Sequence, residues 1–458
     1  MEDFLTGKKH IHFIGIGGSG MYPLAQILHS KGFYLTGSDN NETETLELIR
    51  KMGIPVFLGQ RAENIDNADL IVYTAAIMDD NPELIAARKS GVKTIERADL
   101  LGLITDKYKN SVCVSGTHGK TTTSAMLTQI FLSEHSDISA VIGGKLKAIG
   151  GSGIAGDGDT IICEACEFLD HFLKLSVDVA VVLNVDEDHL DYFKNLDNII
   201  SSFRKFCDNA SRAIVINGDD ANSMKAVNGL TGKDIITFGK KPGNQWYPEN
   251  IIRSGRLESS FSIIHNGEKF CDVVIHVPGE HNILNAVAAA AAACYCGITP
   301  DGVAKGLNEF KGAGRRFEKY GEYKGITIVD DYGHHPAEIA ATLKTAKKMN
   351  YKRVWAVHQP FTYSRTFTLM DDFAQALSIA DKTVLTEIMG SREKNIYNVF
   401  AEDLCEKIQG CVWFPEFEQV ADYVFQNAEE GDLIITLGCG DVYKVARMIC
   451  KKFEEAGK

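Results

Sequence analysis

No run of about 18 apolar residues occurs in the 458-residue chain, so a membrane-spanning helix is not expected. The alanine-rich stretch Ala286–Ala293 is too short for one and reads as a tightly packed helix. Excess positive charge is also lacking. Lys and Arg number 48 against 61 Asp and Glu, a net charge of −13. That argues against nucleic acid as the main partner, because a phosphate backbone needs a basic surface. A local basic site for a small phosphate ligand is still allowed. The opening MEDFLTGKKHIHFIGIGG lacks the basic, apolar, then small pattern of a signal peptide, and a cytoplasmic location is expected. Paired zinc-type cysteine spacing is missing as well. The 11 cysteines are scattered, with one CxxC at Cys163 and Cys166 and one CxC at Cys294 and Cys296. This suits a reducing compartment better than a disulfide framework.

What is present is a succession of strand-then-helix units, which predicts an α/β fold with mainly parallel sheets flanked by helices. The length suggests about three domains. The first, 1–107, opens with a buried strand at His10–Gly15, followed by a glycine turn and a helix. Further strands are expected at Phe33–Ser38, Leu70–Thr74 and Val92–Ile95, with a linker at Thr105–Asn110. The second, 108–312, has strands at Ser111–Ser115, Thr160–Glu164, Val177–Asn184, Ala213–Asn217 and Cys271–Val277, then the alanine-rich helix. The polar region from about Asn228 to Gly267 suggests small antiparallel strands and turns. The third, 313–458, has strands at Gly325–Asp331, Arg353–Gln359, Lys382–Ile388 and Asp432–Gly438. The first and third read as Rossmann-like and the second as a P-loop domain.

Chemistry gathers where strands end. Gly15, Gly17 and Gly20 form GxGxxG between the first strand and helix, with Asp39 closing the second strand. Such a turn lets backbone N–H groups and a helix N-terminus approach a diphosphate. The motif does not say which nucleotide, and glycines serving only helix–strand packing are the bland alternative. The segment Ser115-Gly116-Thr117-His118-Gly119-Lys120-Thr121-Thr122 follows a strand and precedes a helix. A P-loop there would cradle phosphates on backbone N–H groups, with Lys120 on the β/γ-phosphates and Thr121 on Mg²⁺. The usual first glycine falls on Val114, and the loop relies on Gly116. Glu164 ends the next strand, where an acidic metal ligand is expected, and His189 lies past another strand end. His281, Asn282 and Asn285 open the alanine-rich helix, and Arg315 and Arg316 precede the third domain. Asp330-Asp331-Tyr332-Gly333-His334-His335 suits substrate binding better than a zinc site, because adjacent ligands rarely point at one ion. Arg365 could bind a carboxylate or a phosphate.

Taken together, GIGGSGM with GSD, SGTHGKTTT, GEHNILNA, GAGRRF, DDYGHHP and YSRT resemble the Mur ligases. They occur in family order over nearly the whole chain. The first and fifth of these motifs mark the alanine-adding branch. The resemblance implies an ATP-dependent amide ligase of peptidoglycan precursor synthesis, with partners UDP-N-acetylmuramate, L-alanine and ATP. The first domain would bind the UDP-sugar through Gly15, Gly17, Gly18, Ser19, Gly20, Ser38 and Asp39. ATP would be held by Gly116, Thr117, His118, Gly119, Lys120, Thr121, Thr122, His281, Asn282, Asn285 and Arg316. Two Mg²⁺ ions would be served by Thr121, Glu164 and His189. Tyr332, His334 and Arg365 would form the amino-acid pocket. Lys120, His189 and Arg316 would carry the chemistry. Monomer and homodimer both stay open.

Two departures from the family pattern stand out. Glu164-Ala165-Cys166-Glu167 replaces a more acidic run, and Thr362 stands where many members have Arg. A sister ligase adding a whole peptide, an NAD-dependent dehydrogenase and a non-catalytic nucleotide-binding protein are the alternatives. The second leaves the P-loop idle. On sequence grounds a Lys120→Ala chain is expected to fold normally and to lose acyl-phosphate formation.

Overall fold

The computed structural model describes residues 7–254, 257–391 and 393–457. It contains three sheets, and by internal contacts the chain divides into two compact units. Among the described residues, the first unit takes in 7–252, 259–276 and 280–311; the second takes in 253–254, 257–258, 277–279, 312–391 and 393–457. No helix among the described residues is long and apolar enough to cross a membrane.

The first unit holds two sheets. One comprises β1 (His10–Ile14), β2 (Tyr34–Asp39), β3 (Val56–Leu58), β4 (Leu70–Tyr73) and β5 (Lys93–Glu96), in the order β3-β2-β1-β4-β5. Its pairings are all parallel. The central strands β1 and β4 are buried, with Ile11, Phe13, Ile14, Leu70, Ile71 and Val72 showing no exposed surface, as parallel strands covered on both faces require. The chain runs outward from β1 in one direction, then crosses to β4 on its other side. Ligands of open α/β sheets sit at such a reversal, and the glycine turn follows β1 there.

The second sheet holds ten strands: β6 (Asn110–Ser115), β7 (Ile138–Leu146), β8 (Gly151–Ile154), β9 (Thr160–Glu164), β10 (Val177–Val182), β11 (Ala210–Asn217), β12 (Asp234–Phe238), β13 (Trp246–Ser254), β14 (Glu258–His265) and β15 (Glu268–Ile275). Their order is β15-β14-β13-β12-β11-β10-β6-β9-β7-β8. The core is parallel, with β7/β8 and β14/β15 antiparallel at the two ends. β6 lies between β10 and β9, so their loops flank whatever follows β6. The alanine-rich stretch lies in helix Glu280–Tyr295, with Ala286–Ala293 all buried. Helix Pro300–Glu309 lies so close to helix Lys120–Ser133 that a Cβ on Gly306 would stand 2.4 Å from Ile130 Cα.

The second unit holds β16 (Glu318–Tyr323), β17 (Ile326–Asp331), β18 (Arg353–His358), β19 (Lys382–Thr386), β20 (Val412–Phe414) and β21 (Asp432–Leu437), ordered β16-β17-β21-β18-β19-β20. Only the edge pair β16/β17 is antiparallel. Short β3, β20 and the β7/β8 ribbon escape sequence patterning. Val56–Leu58 and Val412–Phe414 have three residues each, too few to show a period. The polar region around 228–267 forms β12, β13 and β14; β12 pairs parallel with both neighbours, against the antiparallel expectation, while β14 pairs antiparallel with β15 as expected.

Candidate active site

The glycine turn is folded back on the end of β2. Gly15 and Ile16 donate their amides to Ser38 O at 2.8 and 3.0 Å. Gly17 donates to Asp39 Oδ2 at 3.0 Å, and a Cβ there would stand 2.8 Å from that oxygen. Glycine is therefore required by close approach. Ser38, expected to meet ligand, has no exposed surface, and its hydroxyl donates to Glu83 Oε2 at 2.7 Å. The other Glu83 oxygen lies 2.6 Å from His12 Nε2, and neither side chain is exposed. His12 Nδ1 lies 2.7 Å from Thr36 Oγ1. This interior network fixes β2 against β1 beneath the turn. The Arg97 side chain lies over Gly20, where a Cβ would stand 3.2 Å from its Cδ. Arg97 was not singled out by sequence, because an arginine opening a helix carries no signal of its own.

The second glycine loop runs from β6 into helix Lys120–Ser133. Asn184, just past β10, clamps it. His118 N donates to Asn184 Oδ1 at 2.8 Å, Asn184 Nδ2 donates to His118 O at 3.0 Å, and Thr117 N donates to Asn184 O at 3.1 Å. Gly119 has φ +89°, and a Cβ there would stand 2.7 Å from Asn285 Oδ1. Asn285 and Asn282 share one face of their helix, with Asn285 Nδ2 donating to Asn282 Oδ1 at 3.0 Å. The structure thus brings Asn285 against the P-loop, whereas His281 on the same helix is exposed. Asn184 lay inside NVDEDHLDYF, yet nothing in its spacing marked it as the loop's clamp.

Lys120 does not point into open solvent. Its ammonium donates to Gly116 O at 2.6 Å, to Thr117 O at 3.1 Å and to the Glu167 carboxylate at 2.9 Å. Side-chain exposure is 15% for Lys120 and 3% for Glu167. Burial pulls the ammonium's pKa down, but Glu167 and its neighbours outweigh this, and it stands above the usual lysine value. Glu164 Oε2 accepts the Gly143 amide at 2.8 Å. His189 has φ +50° and packs against Phe168 with the rings tilted, centroids 4.6 Å apart. Glu167, Asp188 and His189 offer ligand atoms all within 4.8 Å of one another. Two carboxylates and an imidazole form a donor set a divalent cation accepts. Of the expected metal set, His189 belongs to this group; Thr121 is buried at the first turn of the loop's helix and Glu164 ends β9. Glu167 and Asp188 were not picked out by sequence, since acidic residues are common at strand ends.

In the second unit, Arg315 is structural. Its Nε pairs with Asp330 Oδ2 at 3.0 Å, and its other nitrogens donate to Cys439 O at 3.2 Å and to Gly438 O. The guanidinium lies 5.0 and 4.9 Å from the Tyr332 and Tyr443 ring centroids. Arg316 lies over the Tyr332 ring at 5.3 Å. Tyr332 and His334 meet edge-on, centroids 5.5 Å apart. His334 Nδ1 lies 3.2 Å from Tyr332 O and 3.4 Å from Glu338. Burial lowers the His334 pKa, Glu338 opposes that, and the charges of Arg365 and Arg316 lower it further. Tyr332, His334, Arg316 and Arg365 therefore gather at the ends of β17 and β18. Arg365 Nη1 is buried without an acceptor among the described residues. Thr362 adopts φ +67°, ψ 141°, an outlying conformation for a β-branched residue.

Three family models match in order: the Mur ligase family catalytic domain over 10–109, the Mur ligase middle domain over 114–293, and the Mur ligase glutamate ligase domain over 315–440. A curated relative from Acetivibrio thermocellus, named UDP-N-acetylmuramate--L-alanine ligase, is 44% identical over 97% of this chain and 96% of its own. This chain belongs to the Mur ligase family. A relative from Agathobacter rectalis with the same name is 42% identical over 97% of this chain and 98% of its own. The crystal structure of the UDP-N-acetylmuramate-alanine ligase of Thermotoga maritima superposes with TM-score 0.82 at 29% identity, covering 98% of this chain and all of that one. A murein peptide ligase from Psychrobacter arcticus shares the fold, with TM-score 0.74 at 23% identity. The protein is accordingly an ATP-dependent amide-bond ligase built as three α/β domains. NAD-dependent oxidoreduction and nucleotide binding without catalysis both fall away.

Proposed function

We propose that this ligase joins L-alanine to the lactyl carboxylate of UDP-N-acetylmuramate, in the cytoplasm, through an acyl phosphate. The observation that carries this is near-full-length identity above 40% to relatives named for that reaction. A carboxylate is a poor electrophile, so ATP first phosphorylates it, and the amine of alanine then displaces phosphate. The enzyme positions the reactants and neutralises charge on the transferring phosphoryl group. Domains 1–107, 108–312 and 313–458 divide these tasks among the UDP-sugar, ATP and the amino acid.

In this assignment the turn Gly15, Gly17, Gly18, Ser19 and Gly20 faces the UDP diphosphate, with Arg97 adding positive charge. Ser38 and Asp39 act from behind, holding the turn by their carbonyl and carboxylate. Gly116 through Thr122 wrap the ATP phosphates, with His281, Asn282 and Asn285 beside them. Lys120 meets the phosphoryl charge. Thr121, Glu164 and His189 would hold two Mg²⁺ ions, and Glu167 and Asp188 enlarge that donor set. When bound, the cations supply charge neutralisation on the phosphates. Arg365 binds the alanine carboxylate, supported by its partnerless Nη1, while Tyr332 and His334 border the small side chain.

Phosphate release tests the assignment directly. With ATP, Mg²⁺ and UDP-N-acetylmuramate, L-alanine should support turnover, and the tripeptide used by a peptide-adding sister should not. Turnover with the tripeptide alone would move the protein to that sister activity.

A further inference from the structure

The Lys120 ammonium is fully satisfied by the chain itself. An ammonium has three protons to donate, and Gly116 O, Thr117 O and Glu167 take all three. The amine that is to meet a phosphate is thus held by the chain's own carboxylate. Glu167 in turn is 3% exposed. If Lys120 swings to a phosphate, it leaves behind a buried anion close to a polyanionic ligand. An unpaired buried carboxylate is costly, and so is the like-charge repulsion. Glu167 must then find another cation. Its neighbours show where one fits: ligand atoms of Glu167, Asp188 and His189 lie within 4.8 Å of one another.

We propose that Glu167 is the positioning residue of Lys120: it pins the ammonium to the loop, and releases it to the phosphates only when a divalent cation takes the ammonium's place beside Glu167, Asp188 and His189. Nucleotide binding is thereby made conditional on the cation. Metal-free ATP binds poorly for two reasons. It must break the Lys120–Glu167 pair, and it must then sit beside the exposed charge. This rests on the P-loop being the nucleotide site, and it adds a role for a residue outside the usual loop.

Calorimetric titration with ATP, in EDTA and then in Mg²⁺, tests this on the intact enzyme before any turnover. Wild-type enzyme should bind ATP weakly in EDTA and tightly in Mg²⁺. Glu167→Gln keeps the shape and one acceptor oxygen but removes the charge. It should bind metal-free ATP about tenfold tighter than wild type or better, since two unit charges a few ångströms apart at a protein surface interact by more than that factor. The enhancement by Mg²⁺ should shrink correspondingly. Glu167→Asp retains the charge on a shorter arm, so its metal-free affinity should rise by a smaller factor while most of the Mg²⁺ enhancement survives. It also serves where Glu167→Gln does not fold. Metal-free affinity equal to or below wild type in the variants that fold would make Glu167 a purely structural counter-ion and overturn the exchange. Wild-type enzyme that binds no ATP even with Mg²⁺ would instead overturn the nucleotide site itself.

Discussion

His358 offers a clean test of how this fold depends on pH. It ends β18, has no exposed surface, and lies over Phe373 with ring centroids 5.6 Å apart. Its Nδ1 is 2.9 Å from Leu437 O. A carbonyl can only accept, so Nδ1 carries the proton and Nε2 is a bare acceptor, with no partner among the described residues. Burial pushes the pKa down to about 4 from the usual 6.5. As pH falls through 6.5 an unfolded chain takes up a proton here, while the folded chain refuses it until about pH 4. The stability contribution is therefore whole above pH 6.5 and is lost progressively from there to about pH 4. The full gap corresponds to about 3 kcal/mol, of which about 2 kcal/mol is lost between pH 7 and pH 5. His358→Phe keeps an aromatic ring against Phe373 and removes the titration. Leu437 O is not orphaned, because Gln359 N still donates to it at 3.2 Å. Hydrogen-exchange mass spectrometry on peptides covering β18 and β21, corrected for intrinsic rates, should show wild-type opening energy falling by about that amount from pH 7 to pH 5. The variant should fall by much less. Equal losses in both proteins would refute the assignment of this pH dependence to His358.

Three further outcomes are expected. Arg315→Ala strands the fully buried Asp330 with only the Thr436 hydroxyl as a donor and should cost about 3–5 kcal/mol in thermal or urea unfolding, whereas Arg316→Ala should change stability by less than about 1 kcal/mol. Glu83→Leu removes the acceptor of both His12 and Ser38; stability should fall by about 3–5 kcal/mol and the KM for the UDP-sugar should rise more than that for ATP, equal KM values arguing against a role under the glycine turn. Lys120→Ala should cut hydroxylamine-trapped acyl phosphate by about 10²- to 10³-fold, and its lowered melting temperature should recover when Glu167→Gln is added, since that second change neutralises the stranded carboxylate.

That last expectation departs from what sequence alone suggests. A lysine at the end of a glycine loop reads as a charge awaiting phosphate, so its removal looks harmless to folding. The structure supplies an anion, Glu167, and makes the lysine part of the interior. Much else was legible. The glycine turns, the strand ends and the alanine-rich helix follow from periodicity and from residues only one backbone conformation tolerates. What stayed hidden depends on contacts between distant segments. Asn184 clamps the P-loop from 66 positions away, and Glu83 reaches His12 across 71. Ser38 shows the same limit from the other side. Its position beside Asp39 was legible, but not that its hydroxyl faces inward to Glu83. Of the two adjacent arginines, sequence could not say that Arg315 is locked to Asp330 while Arg316 lies over a ring.

The groups assigned to substrates differ in what binding must break. Lys120 holds Glu167 and two carbonyls, Glu164 holds the Gly143 amide, and Asp39 holds the Gly17 amide. A ligand engaging Lys120 or Glu164 exchanges one charged contact for another, and only the surplus appears as affinity. A ligand with a single charge gains little from such an exchange, whereas a triphosphate that arrives with its cations replaces several contacts together. Arg365 is the opposite case, with a buried guanidinium nitrogen that has no acceptor among the described residues to give up. One carboxylate suffices there, because each new hydrogen bond relieves an existing deficit. The nucleotide region is thus suited to a large, multiply charged ligand. The strand ends of the second unit are suited to a small one with a single anionic group, which is the division of labour an amino-acid-adding ligase requires.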